Sequence, residues 1–236
     1  MSTPELVVQT AFILNDQGRI VSTREPRPTR GPLFTIARNA TSTAWAVRAD
    51  LPSQLTAELD RLASEEPPVV DLGAAPLHAE RYLSLLGGHL SAVHQSAVQA
   101  RQLGGPEFTF PDLLTQPSGV VRVEDERLLQ RNFRGWEVGE IAEGRWPLFA
   151  ILNDGYPVSV CFSARLSDTA AAAGLETAEA FRGQGLGPCV TAAWALAIRA
   201  TGRLPLYGTA WTNYASRAVA RKLGLSTCAG YWSLSD

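Results

Sequence analysis

An α/β fold is predicted for this 236-residue chain by three stretches of its sequence. Residues 171–198, AAAGLETAEAFRGQGLGPCVTAAWALAI, read as a strand, a glycine-rich turn and a helix. Within them Val190, Ala193, Trp194, Ala197 and Ile198 recur at i, i+3, i+4, i+7 and i+8, one face of a helix. Residues 147–152 and 158–165 are strand-like runs on either side of Asn153-Asp154-Gly155, a hairpin turn. Residues 33–38 and 43–48 make another strand pair, ahead of a helical stripe of Leu55, Leu59 and Leu62.

Taken in order, residues 6–14 are an apolar run that reads as a strand, turned at Asn15-Asp16-Gln17-Gly18 into a partner at residues 19–23. After the second strand pair, a helix begins near Leu51-Pro52-Ser53 and is stopped by Glu65-Glu66-Pro67-Pro68. Residues 76–101 look helical, with a weak point at Gly87-Gly88. Residues 102–119 carry Gly104-Gly105-Pro106, Pro111 and Pro117; they read as loop and as the boundary between two domains. Leu128, Leu129 and Phe133 then fall at helical spacing. The strand ending at Thr177 is the central one, and residues 205–209 follow the glycine-turn helix as a short strand. Residues 213–223 are a short helix stopped by Gly224, and residues 227–234 are the last strand. The peptide at residues 32–38 resembles that at 147–153, as chance matching of short strand peptides would also give.

Composition excludes more than it assigns. Twenty-one basic against 23 acidic residues leave a formal charge of −2, too little to draw nucleic acid or an anionic membrane. No apolar run approaches the roughly 20 residues of a membrane span, and the N-terminus lacks a basic segment followed by an apolar core; the expectation is a cytoplasmic protein, monomeric or homodimeric. Cys161, Cys189 and Cys228 are odd in number and set in apolar or helical context, which reads as free thiols. His89 and His94 are five apart, off a common helix face, so with His78 they are not read as a metal site.

The informative turn is Arg182-Gly183-Gln184-Gly185-Leu186-Gly187. Three residues without a Cβ stand just before a helix N-terminus, where backbone N–H groups and the helix dipole favour an anion. The Walker loop needs Gly-Lys-Ser/Thr, whereas the chain's one lysine is Lys222; the dinucleotide fingerprint needs a Gly-x-Gly-x-x-Gly spacing that is absent here.

What remains, Arg182-x-x-Gly185-x-Gly187, resembles the acyl-CoA pyrophosphate loop of the GNAT superfamily of N-acyltransferases. Asn213, Ser216, Lys222, Gly224 and Leu225 match the superfamily's later helix, Asn-x-x-Ala/Ser ending Lys-x-Gly-Phe/Leu. The likeness covers residues 124–236 and is nearest the bacterial subgroup with Glu/Asp-Thr, here Glu176-Thr177, before Arg-Gly-x-Gly. It implies a mixed, mostly antiparallel sheet with a splayed central strand pair and flanking helices. It also implies a catalytic domain at residues 116–236 and an α/β domain at 1–115, a place where some members carry a degenerate second copy of the fold. The implied reaction is transfer of an acetyl or other acyl group from acetyl-CoA to a primary amine of a small molecule, by direct attack on the thioester.

By the same resemblance, Arg182, Gly183, Gly185, Leu186 and Gly187 hold the pyrophosphate, and the main chain of Leu175 to Thr177 bonds the pantetheine amides. Asn213 caps its helix and contacts the cofactor, as does Ser216. The superfamily's frequent general acid, a Tyr seven residues after the Asn, is replaced by Ala220, which leaves Tyr214, Ser216 or water to protonate the thiolate. Glu176 is the carboxylate on the central strand, expected in apolar surroundings that raise its pKa, and so the candidate base; water or a residue of the N-terminal half is the alternative. The loss of the Tyr also allows a non-catalytic acyl-CoA-binding regulatory protein, and the glycine turn alone allows an unrelated nucleotide-binding module.

Overall fold

A computed structural model describes residues 3–94 and 101–236. In chain order its elements are α1 (Thr3–Ala11), β1 (Phe12–Leu14), β2 (Ile20–Thr23), β3 (Phe34–Arg38), β4 (Thr43–Val47), α2 (Ser53–Ser64) and α3 (Ala79–His94). These are followed by β5 (Arg101–Thr109), β6 (Val121–Arg122), β7 (Phe149–Asn153), β8 (Tyr156–Leu166), β9 (Ala170–Thr177), α4 (Leu186–Ala200), β10 (Leu204–Gly208), α5 (Tyr214–Lys222) and β11 (Ser226–Ser235). Apart from the β1-β2 hairpin, the strands form one nine-stranded sheet ordered β4-β3-β11-β5-β10-β9-β8-β7-β6. No helix of the described residues is long and apolar enough to cross a membrane.

Local chemistry explains the C-terminal elements. Asp154 and Gly155, with φ of 49° and 80°, close a two-residue turn between β7 and β8, the left-handed geometry that the strand twist favours. Val190, Ala193, Trp194 and Ile198 of α4 are buried, and the Trp194 indole N–H donates to Ser163 Oγ at 3.2 Å. Asn213 caps α5 by accepting from the Ser216 N–H at 3.0 Å.

The sheet is mostly antiparallel, with one parallel pairing that matters for the site. β9 and β10 run side by side over Ala170–Ala172 and Leu204–Leu206 and then part. From Ala173 to Thr177, β9 is therefore paired only on its β8 side.

Side-chain alternation sorts the layers. Cys161, Ala171, Tyr207 and Phe108 point to the face covered by α4 and α5, while Phe34, Ile36, Trp232 and Leu234 pack under α2 and α3. The opposite face takes α1, whose Leu6, Val7 and Val8 pack with Ala37, Ala170, Leu206 and Ala229. Farther along that face, Val160 and Phe162 pack with Leu129, Phe133 and Trp136.

Strands from the two ends of the chain alternate in the middle of the sheet. β5 lies between β10 and β11, and β11 lies between β5 and β3, antiparallel to its neighbour in every case.

Four expectations of the sequence are corrected. Residues 6–14 are not one strand: they contain most of helix α1 and then β1, because a short apolar run buried against a sheet has the same composition in either form. Residues 102–119 do not begin as a loop, since β5 runs through Gly104-Gly105-Pro106. A Cβ on Gly105 would stand 1.7 Å from the Thr209 carbonyl oxygen, so the glycine marks a close backbone approach inside the sheet. The spacing at Leu128, Leu129 and Phe133 belongs to a short 3-10 turn, Glu126–Arg131, N-capped by Asp125. Helix α3 passes through Gly87-Gly88 without a break and is described to His94; residues 95–100 lie outside the described residues.

Candidate acyl-donor cleft and adjoining cavity

The parting of β9 from β10 leaves the edge of residues 173–177 that faces away from β8 without a strand partner, and the space beside it is a cleft of about 1180 Å³. Leu175, Glu176, Thr177, Arg182, Gly183, Gly185, Leu186, Gly187, Asn213 and Ser216 all line it. Tyr214 does not: its side chain is 75% exposed and stacks near the Arg217 guanidinium.

At the head of the cleft, Gly183 and Gly185 have φ of 77° and 81°, a conformation glycine adopts without strain. Gly185 is the left-handed N-cap of α4 and supplies no side-chain cap, so the first N–H groups of the helix point to the cleft unfilled by the chain's own oxygens. Gly187 packs where a Cβ would stand 3.3 Å from Leu175 Cδ2, which brings the helix start onto β9. Arg182 is exposed, and its Nε donates to the Thr177 carbonyl at 3.2 Å, tying the turn to the strand end. Arg134 and Lys222 add two exposed cations to the lining. The arrangement suits a polyanion with an extended amide tail laid along an unpaired strand edge.

Glu176 lies on the cleft wall but is exposed, not in the apolar setting expected of it. Its neighbour Thr177 shares a 2.8 Å hydrogen bond with Ser159. Ser216 Oγ sits 2.7 Å from the hydroxyl of Tyr207, a residue of β10 that also lines the cleft. Burial pushes the Tyr207 phenol up to about 12, opposed by that hydrogen bond. Ala220, seven residues after Asn213, is buried in the same apolar cluster as Tyr207.

On the α1 side of the sheet a second cavity, of about 720 Å³, shares Ala173, Gly208 and Thr209 with the cleft. It contains Glu107 of β5, whose carboxyl is pushed up to about 7 by desolvation, with Arg165 partly opposing. Sequence reading missed both Tyr207 and Glu107. Tyr207 sits in an unremarkable strand, and Glu107 follows a glycine-proline run read as loop; no local pattern marks either.

A family model described as GNAT acetyltransferase matches residues 126–232. No curated protein matches the sequence. Among solved structures, a GCN5-related N-acetyltransferase from Kribbella flavida is 15% identical, covers 100% of this chain and 96% of its own, and superposes with a TM-score of 0.52. A GNAT-family acetyltransferase from Colwellia psychrerythraea is 15% identical over 94% of this chain and 78% of its own, at 0.49. A GNAT-family protein of Novosphingobium aromaticivorans is 16% identical, at 0.48; the match takes in 57% of this chain and 64% of that one. At these identities the likeness is one of fold. Residues 126–232 of this chain are thus similar to the GNAT acetyltransferases, and the chain as a whole shares its fold with the Kribbella flavida protein.

Proposed function

We propose that the chain is an N-acetyltransferase that moves an acetyl group from acetyl-CoA to a primary amine of a small molecule, by direct attack of the amine on the thioester. The observation that carries this reading is the meeting, in one cleft, of an unfilled glycine turn at a helix start and the unpaired edge of a splayed strand. Arg182, Gly183, Gly185, Leu186 and Gly187 hold the pyrophosphate through N–H groups, the helix dipole and the guanidinium. Residues 175–177 bond the pantetheine amides as an added strand would, which delivers the thioester to the fork between β9 and β10. Asn213 and Ser216 also line the cleft.

Glu176 is the carboxylate of the donor strand, able to take the amine's proton through water. Ser216, joined to Tyr207, is the hydroxyl on the cleft wall for the departing thiolate, while Tyr214 lies outside the lining. In this reading residues 116–236 carry the donor site and residues 1–115 supply walls for the acceptor. The three cysteines are unpaired, which fits a reducing, cytoplasmic setting.

Thiol release from acetyl-CoA with a panel of primary amines tests the proposal, alongside calorimetric titration with CoA. A second reading, an acyl-CoA-binding regulatory protein without turnover, is favoured by Ala220 at the usual acid position. Binding of CoA with no thiol release for any amine would support that reading instead.

A further inference from the structure

The cavity on the α1 side has the features of an acceptor site. Val7, Val8, Ala11 and Phe12, from α1 and the start of β1, give it an apolar wall, and Tyr231 of β11 adds an aromatic one. Glu107 enters at the inner end. It pairs with Gly208 across β5 and β10, and a Cβ on Gly208 would stand 2.3 Å from Glu107 Oε1, so the carboxylate fills the space the glycine leaves. Gly208 lines both cavities, which puts this carboxylate at the fork where the donor cleft opens through the sheet.

The other charged groups of the lining are already engaged. Arg165 donates to Glu25 at 2.7 Å, Asp236 is paired with Arg48, and Arg30 with Asp50. Among the described residues, the Glu107 carboxylate makes neither an ion pair within bonding distance nor a side-chain hydrogen bond.

We propose that this cavity receives the acceptor, a primary amine on a compact apolar body, and that Glu107, in place of the exposed Glu176, is the catalytic residue that takes the proton from its ammonium group. This rests on the acyltransferase reading given above. The ammonium enters along the apolar wall and loses one proton to the Glu107 carboxylate. The neutral nitrogen attacks the thioester carbonyl, so a C–N bond forms and the C–S bond breaks. The thiolate takes a proton from the Ser216–Tyr207 hydroxyl pair, which is restored through solvent by the second nitrogen proton, giving amide and CoA thiol, and Glu107 returns its proton to water.

The pH dependence is set by what surrounds the carboxylate. Arg165 faces it from β8 and favours its charged form; Cys228 and Tyr231 face it from β11 and stay neutral, both pushed up by burial and by Glu107 itself. β10 brings only Gly208 to this cavity, with Thr209 just beyond its end, and α1 none of the titratable lining. Desolvation prevails, and the group titrates near neutrality, where a base is most useful.

The test uses the full chain with acetyl-CoA and two probe amines, 2-phenylethylamine and hexylamine, comparing the native protein with Glu107→Gln, Glu107→Asp and Glu176→Gln. For Glu107→Gln we expect kcat/KM to fall by about 10²–10⁴-fold with CoA affinity unchanged, and the acidic limb of the profile to vanish. Glu107→Asp should lose rate and keep the limb. Near-native turnover with an unchanged profile in Glu107→Gln, or loss of the limb in Glu176→Gln instead, overturns the inference and leaves the acyltransferase reading standing. If the native chain binds CoA but acetylates neither probe, amine titration decides. Saturable binding of 2-phenylethylamine that Glu107→Gln abolishes keeps the acceptor site, and no such binding overturns it. Failure of the native chain to bind CoA would instead sink the donor site.

Discussion

The hydroxyl of Tyr207 lies 2.7 Å from Ser216 Oγ, joining β10 to the first turn of α5 at the wall of the donor cleft. The second contact, 3.4 Å from the Tyr207 hydroxyl to the Ser216 carbonyl, steers the phenolic proton toward the helix and leaves the serine hydroxyl able to donate back. The chain thus has an O–H pair in the cleft although position 220, seven after Asn213, is an alanine.

Tyr207→Phe should therefore lower kcat by about 10- to 100-fold, less than loss of a sole general acid because Ser216 and water remain. Its phenol is held near 12, so it stays protonated through the assay range and acts as a donor to the thiolate without titrating. Consequently the native pH profile should show no alkaline limb from this group below about pH 10, and Ser216→Ala should cost less rate than Tyr207→Phe. Equal kcat in the native and Tyr207→Phe proteins would remove the pair from the reaction.

The glycine turn makes a binding prediction. Gly185→Glu places a carboxylate at a φ of 81°, where no heavy atom stands within 4 Å of the new Cβ, so the fold has room for it at a backbone cost of about 1 kcal/mol. The same carboxylate faces the phosphates. Calorimetry should show CoA binding lost while circular dichroism stays native; retained affinity would remove the turn from the donor site.

Much of this half of the site was legible because its signals are local. Asp154-Gly155 sets a turn, Asn213 caps the helix it begins, and the apolar face of α4 is written in its own spacing. The acceptor side was not legible for the opposite reason. Glu107 is placed by pairing with residues about 100 positions later, and Gly104-Gly105-Pro106 gives β5 the local look of a turn. Only the Thr209 carbonyl pressing on Gly105 explains why glycine belongs in that strand. Likewise the apolar run over residues 6–14 carries no periodicity that separates a buried helix from a buried strand.

Glu107 should also leave a signature in stability. Its native pKa of about 7 lies above the 4.5 of an unperturbed glutamate, so the fold favours the protonated form. The contribution is fully present below about pH 4.5 and is lost as pH rises through about 7. By linkage the charged form costs up to about 3 kcal/mol at pH 8. Glu107→Gln should accordingly raise Tm relative to the native chain at pH 8 and give little difference at pH 4. A variant equally shifted at both pH values would show that Glu107 acts through packing and not through its charge.

The exchange of strands at the centre of the sheet predicts how the two halves of the chain behave apart. β5 supplies the antiparallel neighbour of β10 over Leu206–Gly208, and it pairs with β11 from Ser226 to Ser235; β3 covers the other edge of β11. A fragment of residues 120–236 keeps the family's sequence pattern but loses β3 and β5 together. Both edges of β11 and the far edge of β10 then present unpaired backbone, with Ala229, Trp232 and Leu234 uncovered beside them. Such edges are templates for association. Expressed alone, the fragment should be aggregated or unfolded by light scattering and circular dichroism, and co-expression with residues 1–119 should restore a soluble complex that binds CoA. A monomeric fragment that unfolds cooperatively without its partner would show that β11 can find its place without β3 and β5, and that the interleaved sheet is not what holds the donor cleft open.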